Sequence, residues 1–224
     1  MADATDQLGF QTAGYLVEPP RVMARNLSVG ARLACGALVS FFGAFLFCFL
    51  YLREINSHSV WRPSGVKPPV GSGAAILACI VASAILTAVG IYLLRRRGEG
   101  AWRVAATASH LLALAALAVQ CVQWARLGFG PGSGAYASVF IGWTGFYAGI
   151  GLLSVLYWAQ TTLSGSIRHR GQPAEGQIVA VAGQPGGEGG FRARMGAEVS
   201  AFAFYWYFLA CVEVVTFVLL YIVA

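Results

Sequence analysis

Glu213 is the only acidic residue within the long apolar runs of this sequence, and it is the residue best suited to proton or ion chemistry. It is the thirteenth residue of the 23-residue run 201–223, which would place it near the middle of a membrane span. An ionised carboxylate at that depth costs about 2.5–3.5 kcal/mol on insertion scales unless it is paired. Two hypotheses follow: a proton relay or ion site, or a neutral carboxyl that hydrogen-bonds a neighbouring helix.

A relay would need further polar groups at similar depth, and by depth alone His110 and Ser40 are the candidate partners for Glu213. Of the three histidines, only His110 lies within an apolar run. A haem or copper site needs at least two well-placed His, Cys or Met ligands. We therefore expect His110 to be a packed, hydrogen-bonded residue, and we expect no metal and no cofactor in this chain.

Catalytic sequence patterns are also missing. The chain has no GxSxG, HExxH, P-loop or dinucleotide-binding pattern. Its five cysteines all lie in the apolar runs without CxxC spacing, so no disulfide framework is expected. The sequence thus predicts no catalytic residue and no catalytic centre in the chain itself.

The elements that would position these residues are membrane-spanning helices. Only 11% of the 224 residues are charged, against about 25% in soluble domains. The apolar residues gather into five runs, each with the roughly 20 residues needed to cross the hydrocarbon. Because no run alternates with period two, the sequence predicts an all-α integral membrane protein, a five-helix transmembrane bundle. The predicted spans are 30–52, 73–94, 102–124, 136–160 and 201–223.

The basic residues predict the orientation of this bundle. With a cytoplasmic N-terminus and an exterior C-terminus, most of the 15 basic residues fall on the inner side, as the positive-inside rule requires. The exceptions are Arg53, Arg62, Lys67 and Arg126. The net charge of +6 is therefore explained by topology, and a nucleic-acid partner is not expected.

The remaining segments are polar. Residues 1–29 lack the apolar core of a secretion signal and are predicted to form a cytoplasmic arm before a membrane domain, 30–224. The first two spans should form a hairpin, and the short basic turn after the second should make spans two and three antiparallel neighbours. A Gly/Pro-rich cytoplasmic loop, 163–200, should tie on the fifth span.

Small residues predict where helices approach closely. Gly145 and Gly149 have GxxxG spacing in the fourth span, and Ala74, Ala78 and Ala82 form a stripe in the second. Packing within the chain would explain both stripes, and a face for a partner helix is the alternative. Gly145, Gly149, Trp206 and Glu213 are the candidate contacts with a partner or lipid.

Several stretches resemble subunit III of cytochrome c oxidase. Residues 134–140 (GAYASVF) and 144–146 (TGF) are similar to that family's SAYGSVF…TGF segment, and 205–208 (YWYF) to its closing YWHF helix. Residues 41–53 are similar to its FFxxF…R helix, and 120–124 (QCVQW) to its QxxE[WY] pattern. The resemblance covers roughly 30–162 and 199–223 and matches the five-helix form of the family.

The ionisable residues of the family pattern are nearly all replaced by neutral ones. They fall on Leu38, Gln123, Tyr147, Ile150, Tyr207 and Ala210. Glu213 lies one helical turn beyond Ala210, on the same face, which suggests a relocated acid. The replacements argue against a proton-transfer role and leave a packing role intact.

The resemblance implies a non-catalytic auxiliary subunit of a respiratory heme–copper oxidase in the bacterial inner membrane. Such a subunit packs on the catalytic subunit I, which carries the haem and copper, holds membrane lipids, and supports assembly and turnover. Two alternatives remain. One is an accessory subunit of a nitric oxide reductase-type complex, and the other is a small stand-alone membrane carrier that uses Glu213.

Overall fold

A computed structural model describes residues 20–56, 61–97, 99–171 and 188–224, and within these ranges the chain is helical and contains no strand. The helices are α1 (Pro20–Ile55), α2 (Val70–Arg97), α3 (Glu99–Ala125), α4 (Ala135–Gly171) and α5 (Glu188–Phe217). A 3-10 turn, Pro131–Ser133, precedes α4, and a π-helical segment, Val218–Val223, continues α5. All five α-helices are long and apolar enough to cross a membrane, which confirms the five predicted spans.

The helices are longer than the apolar runs, which corrects two predicted boundaries. Residues 20–29, assigned to the arm, belong to α1, which begins at Pro20 because proline suits the first helical turn. The predicted loop 163–200 is also too long, since α4 reaches Gly171 and α5 begins at Glu188. Hydropathy reports only the part of a helix that the hydrocarbon requires, so polar turns beyond it go unseen. The rest of the arm, 1–19, and of the loop, 172–187, lies outside the described residues.

The fifth helix is part of the bundle and not an appendage. α5 packs between α1 and α2, and the circle closes through contacts of α2 with α3, α3 with α4, and α4 with α1. α2 and α3 pack most extensively, which confirms that they are neighbours. The predicted hairpin of α1 and α2 is wrong, because the two helices hardly touch. Segment 56–69 joins them, and it exceeds the roughly 2–8 residues that usually connect neighbouring helices in bundles.

Large aromatic side chains occupy much of the interior of the circle, while other large apolar side chains cover its outside. Trp143, Tyr136 and Phe140 of α4 are at most 1% exposed, and Phe42 of α1 packs on the Trp143 ring at 6.1 Å between centroids. Large apolar residues such as Leu33 and Val104, about 70% exposed, point outward. The buried side chains are thus those at the contacts between helices, and the apolar outer surface suits contact with hydrocarbon.

The end of α5 is fixed by contacts with three other parts of the chain. The Tyr136 hydroxyl donates to the Leu220 carbonyl at 2.8 Å, and Arg62 Nη1 donates to the Ala224 carbonyl at 2.9 Å. The Tyr221 ring lies flat against Gly73 of α2, where an added Cβ would come within 2.5 Å of it. These contacts satisfy carbonyls of the π-helical segment and bring α5 close to α2.

Replacing Gly73 by Ala should destabilise the bundle. Its Cβ would overlap the Tyr221 ring, which is buried and held by a hydrogen bond from its hydroxyl to Gln123. Overpacking of this kind typically costs about 1–3 kcal/mol, measurable as the free energy of unfolding in mixed detergent micelles. Gly71→Ala is the matched control, because nothing lies within 4 Å of a Cβ there. Equal stability of the two variants would contradict the close α2–α5 contact.

Candidate functional site

Glu213 lies on the interior face of α5, only 3% exposed. Tyr147 of α4 and Tyr221 are close enough to interact electrostatically with its carboxyl. The Tyr147 hydroxyl, however, donates at 3.0 Å to the Leu209 carbonyl, one turn before Glu213. Within the described ranges no side chain makes a hydrogen bond or an ion pair with the carboxyl. A carboxyl so placed avoids the cost of an isolated buried charge only in its neutral form.

Four residues at one end of the interior form what we call the glutamine cluster: Ser72, Gln120, Gln123 and Tyr221. Gln123 is its centre. The Gln123 Oε1 atom accepts from Gln120 Nε2 at 2.8 Å and from the Tyr221 hydroxyl at 3.1 Å, while Gln123 Nε2 donates to Ser72 Oγ at 2.8 Å. The cluster joins α2, α3 and the π-helical end of α5. Both amides are nearly fully buried, so each unmade hydrogen bond would carry its full desolvation cost.

A second group, the serine cluster, lies nearer the other end and consists of Ser83, Thr87, Ser109 and Trp206. The Ser109 hydroxyl lies 2.9 Å from that of Ser83 and 2.8 Å from that of Thr87. Trp206 Nε1 donates to Ser83 Oγ at 3.1 Å. The small side chains let α2 and α3 approach closely, and the indole ties α5 to both.

A cavity of about 20 Å³ separates the two clusters. Gln120 lines it at one end, Trp206 at the other, and Tyr147 and Leu209 border it on the side of Glu213. That volume is about what a single water molecule needs. This cavity therefore has no space for a transported solute larger than water.

The chemistry of the lining groups limits what this interior can do. Proton relay requires groups that both donate and accept, such as hydroxyls, carboxyls or water. The hydrogen bonds of the glutamine cluster run through the side-chain amides of Gln120 and Gln123. The serine cluster is connected to α5 by the Trp206 indole N–H, which can donate a hydrogen bond but cannot accept one. These hydrogen bonds fix which helix faces meet, but they do not form a chain of exchangeable protons.

The structure places the predicted site residues in three different environments. Ser40 is exposed on the outside of α1 and donates only to the Gly36 carbonyl of its own helix. His110 lines a cavity beside the serine cluster, next to Trp206. Trp206 precedes Glu213 by seven residues, about 10 Å along α5. No hydrogen bond joins Glu213 to Ser40 or His110 within the described ranges, and their pairing stays a prediction from depth alone.

The candidate partner contacts divide in the same way. Trp206 and Glu213 are buried inside the chain, so the expectation that they meet a partner or lipid was wrong. Gly145 and Gly149 have no atom within 4 Å of an added Cβ, and therefore pack against no other helix of the described chain. Their stripe does not serve packing within the chain, and the hypothesis of a partner face stays open.

Sequence reasoning missed Ser83, Thr87 and Ser109 altogether. The sequence does contain a weak signal for such buried polar residues. Ser83 and Thr87 are polar residues at i and i+4 in an otherwise apolar span, and Gln120 and Gln123 are at i and i+3. Such residues share one helix face, which marks that face as interior.

In the described ranges, no three His, Cys, Asp or Glu side chains come together closely enough to hold a metal ion. Comparison with known proteins adds no identification. No protein-family model matches the chain, and no curated protein matches it.

Proposed function

We propose that this chain is a non-catalytic auxiliary subunit, similar to subunit III, of a respiratory heme–copper oxidase in the bacterial inner membrane. In this proposal the N-terminus is cytoplasmic and the C-terminus exterior. The haem and copper belong to the catalytic subunit I, on which the chain packs. The chain's contribution is a rigid five-helix body that supports assembly and turnover.

One observation carries the proposal: the residues that resemble subunit III are those that join the helices. The Tyr136 hydroxyl donates to the Leu220 carbonyl at the end of α5. Thr144 accepts from Trp124 Nε1 at 3.1 Å, and Trp206 reaches the serine cluster. A likeness confined to packing residues is what a shared scaffold would preserve, whereas a shared catalytic role would preserve ionisable groups.

The outer surface offers a face for the catalytic subunit. Gly145 and Gly149 leave a shallow, backbone-lined strip on the outside of α4. Within lipid, helices associate by close packing at such small residues, since hydrocarbon gives no hydrophobic drive. In the proposed complex this strip meets a helix of subunit I.

A groove supports the lipid-holding part of the proposal. It has a volume of about 580 Å³ and runs between α1, α4 and α5, with Gly30, Ala31 and Ala34 on one wall and Tyr157 and Tyr205 opposite. The groove follows α1 from Asn26 to Ala34, about 12 Å along the helix. A groove of that length, apolar within and bordered by Asn26 at one end, suits part of a phospholipid acyl chain.

The carrier alternative has less support. Glu213 is buried as such a mechanism would require, but the adjacent cavity has room for about one water molecule and the neighbouring amides cannot relay protons. A nitric oxide reductase-type host remains the second candidate, because the same packing residues would serve either complex.

Replacing Glu213 by Gln should leave oxygen consumption by the host complex unchanged. The neutral amide has nearly the same shape and removes no hydrogen bond within the described structure, so the free energy of unfolding should change by less than about 1 kcal/mol. Respiration of membranes carrying the variant measures the first quantity, with Glu54→Gln, an exposed acid at the end of α1, as the control. Loss of a transport activity in the Glu213 variant alone would favour the carrier.

Replacing Gly30 by Leu should displace the lipid. The new side chain would occupy the groove, whereas the chain itself has no atom within 4 Å of that position to be disturbed. Native mass spectrometry of the purified protein should show one fewer retained phospholipid. Gly43→Leu, equally open but outside the groove, is the control and should retain it. Equal lipid content in both variants would remove this part of the proposal.

A further inference from the structure

His110 contains a buried atom whose hydrogen-bonding capacity is unused. Its Nδ1 atom is inaccessible and has no hydrogen-bond partner among the described residues. Buried polar atoms of side chains nearly always have a partner, and the few exceptions generally indicate a bound water or ion. The rest of the ring is partly exposed, between α3 and α4.

The space beside this atom is polar on one side. A cavity of about 10 Å³ is lined by His110 together with Ser83, Ser109 and Trp206, and by apolar groups that include Ala113. One water molecule needs about 10–15 Å³ and two to four polar partners, and this cavity meets both conditions at their lower end. No acidic side chain lines it, so it offers a cation no charged ligand.

The serine cluster has unused acceptor capacity. Its three hydroxyls and the Trp206 indole supply four hydrogens, which are shared among the three hydroxyl oxygens and the carbonyls of Ser83 and Ser109. Each hydroxyl oxygen has two lone pairs, so the cluster can accept a hydrogen bond from a further donor. A neutral His110 Nδ1 that carries no hydrogen is likewise an acceptor without a donor.

We propose that one water molecule binds in this cavity and donates one hydrogen to His110 Nδ1 and the other to a hydroxyl of the serine cluster. Water is the ligand that fits, because it can donate both to His110 Nδ1 and to a hydroxyl lone pair, and because the cavity has the volume of one small molecule. The bound water holds His110 neutral, with its hydrogen on Nε2. It also joins the α3–α4 contact to the hydrogen bonds that connect α2, α3 and α5. This inference is independent of the proposed host complex.

Solid-state NMR of the full chain in lipid bilayers tests the water site. With ¹⁵N-labelled histidine and tryptophan, magnetisation transferred from water should reach the inaccessible His110 Nδ1 several-fold faster than Trp143 Nε1. Trp143 is buried too, but its indole donates directly to Thr216 at 2.9 Å. The Nδ1 resonance should be that of an unprotonated, hydrogen-bonded nitrogen. A His110→Asn sample assigns the signal among the three histidines.

Filling the cavity provides the second measurement. Ala113→Val, whose added methyl groups occupy the cavity, should abolish the rapid transfer, while Ala78→Val on the exposed side of α2 should not. Transfer to His110 no faster than to Trp143 in the wild-type chain would overturn the proposal, and so would a protonated Nδ1. The wild-type result decides the question even if the Ala113 variant fails to fold.

Discussion

The structure depends on the absence of water around its helices. Hydrocarbon cannot satisfy a polar group, so each polar side chain within the spans must find its partner inside the bundle. The interior face of α5 shows how this is done: Trp143 donates to Thr216, Tyr147 to the Leu209 carbonyl, and Trp206 to Ser83. Each of these bonds joins α5 to another helix. Because apolar side chains give little preference for protein over lipid, these bonds and close packing at small residues determine which faces meet.

Glu213 departs from this rule, and that departure constrains the function. It is buried among the same residues, yet no described group satisfies its carboxyl. A proton path would need exchangeable groups in series on either side of the carboxyl. The nearby Tyr147 hydroxyl donates to a backbone carbonyl and the Tyr221 hydroxyl to the Gln123 amide, so neither hydrogen bond leads on to another exchangeable group. The interior is therefore organised for rigidity, and the outer surface carries the features suited to interaction. A body of this kind, with a glycine strip on the outside of α4 and an apolar groove between α1, α4 and α5, is consistent with an auxiliary subunit.

The sequence predicted the number, order and approximate position of the spans, because crossing hydrocarbon requires a composition that local reading detects. It did not predict that α1 reaches back to Pro20 or that α5 begins at Glu188, since helical turns outside the hydrocarbon have no hydropathy signal. The contacts between helices were the feature that the sequence predicted least well. The insertion of α5 between α1 and α2 depends on which faces meet, and residue depth carries no information about that rotation.

The proposal that the chain belongs to an oxidase without holding its redox centre can be tested by purifying the tagged chain from its native membranes in mild detergent. The optical spectrum is then recorded and the co-purifying chains are identified. We expect haem absorption, together with a catalytic oxidase subunit in constant ratio to the tagged chain. A colourless, monodisperse protein without a partner would rule the proposal out.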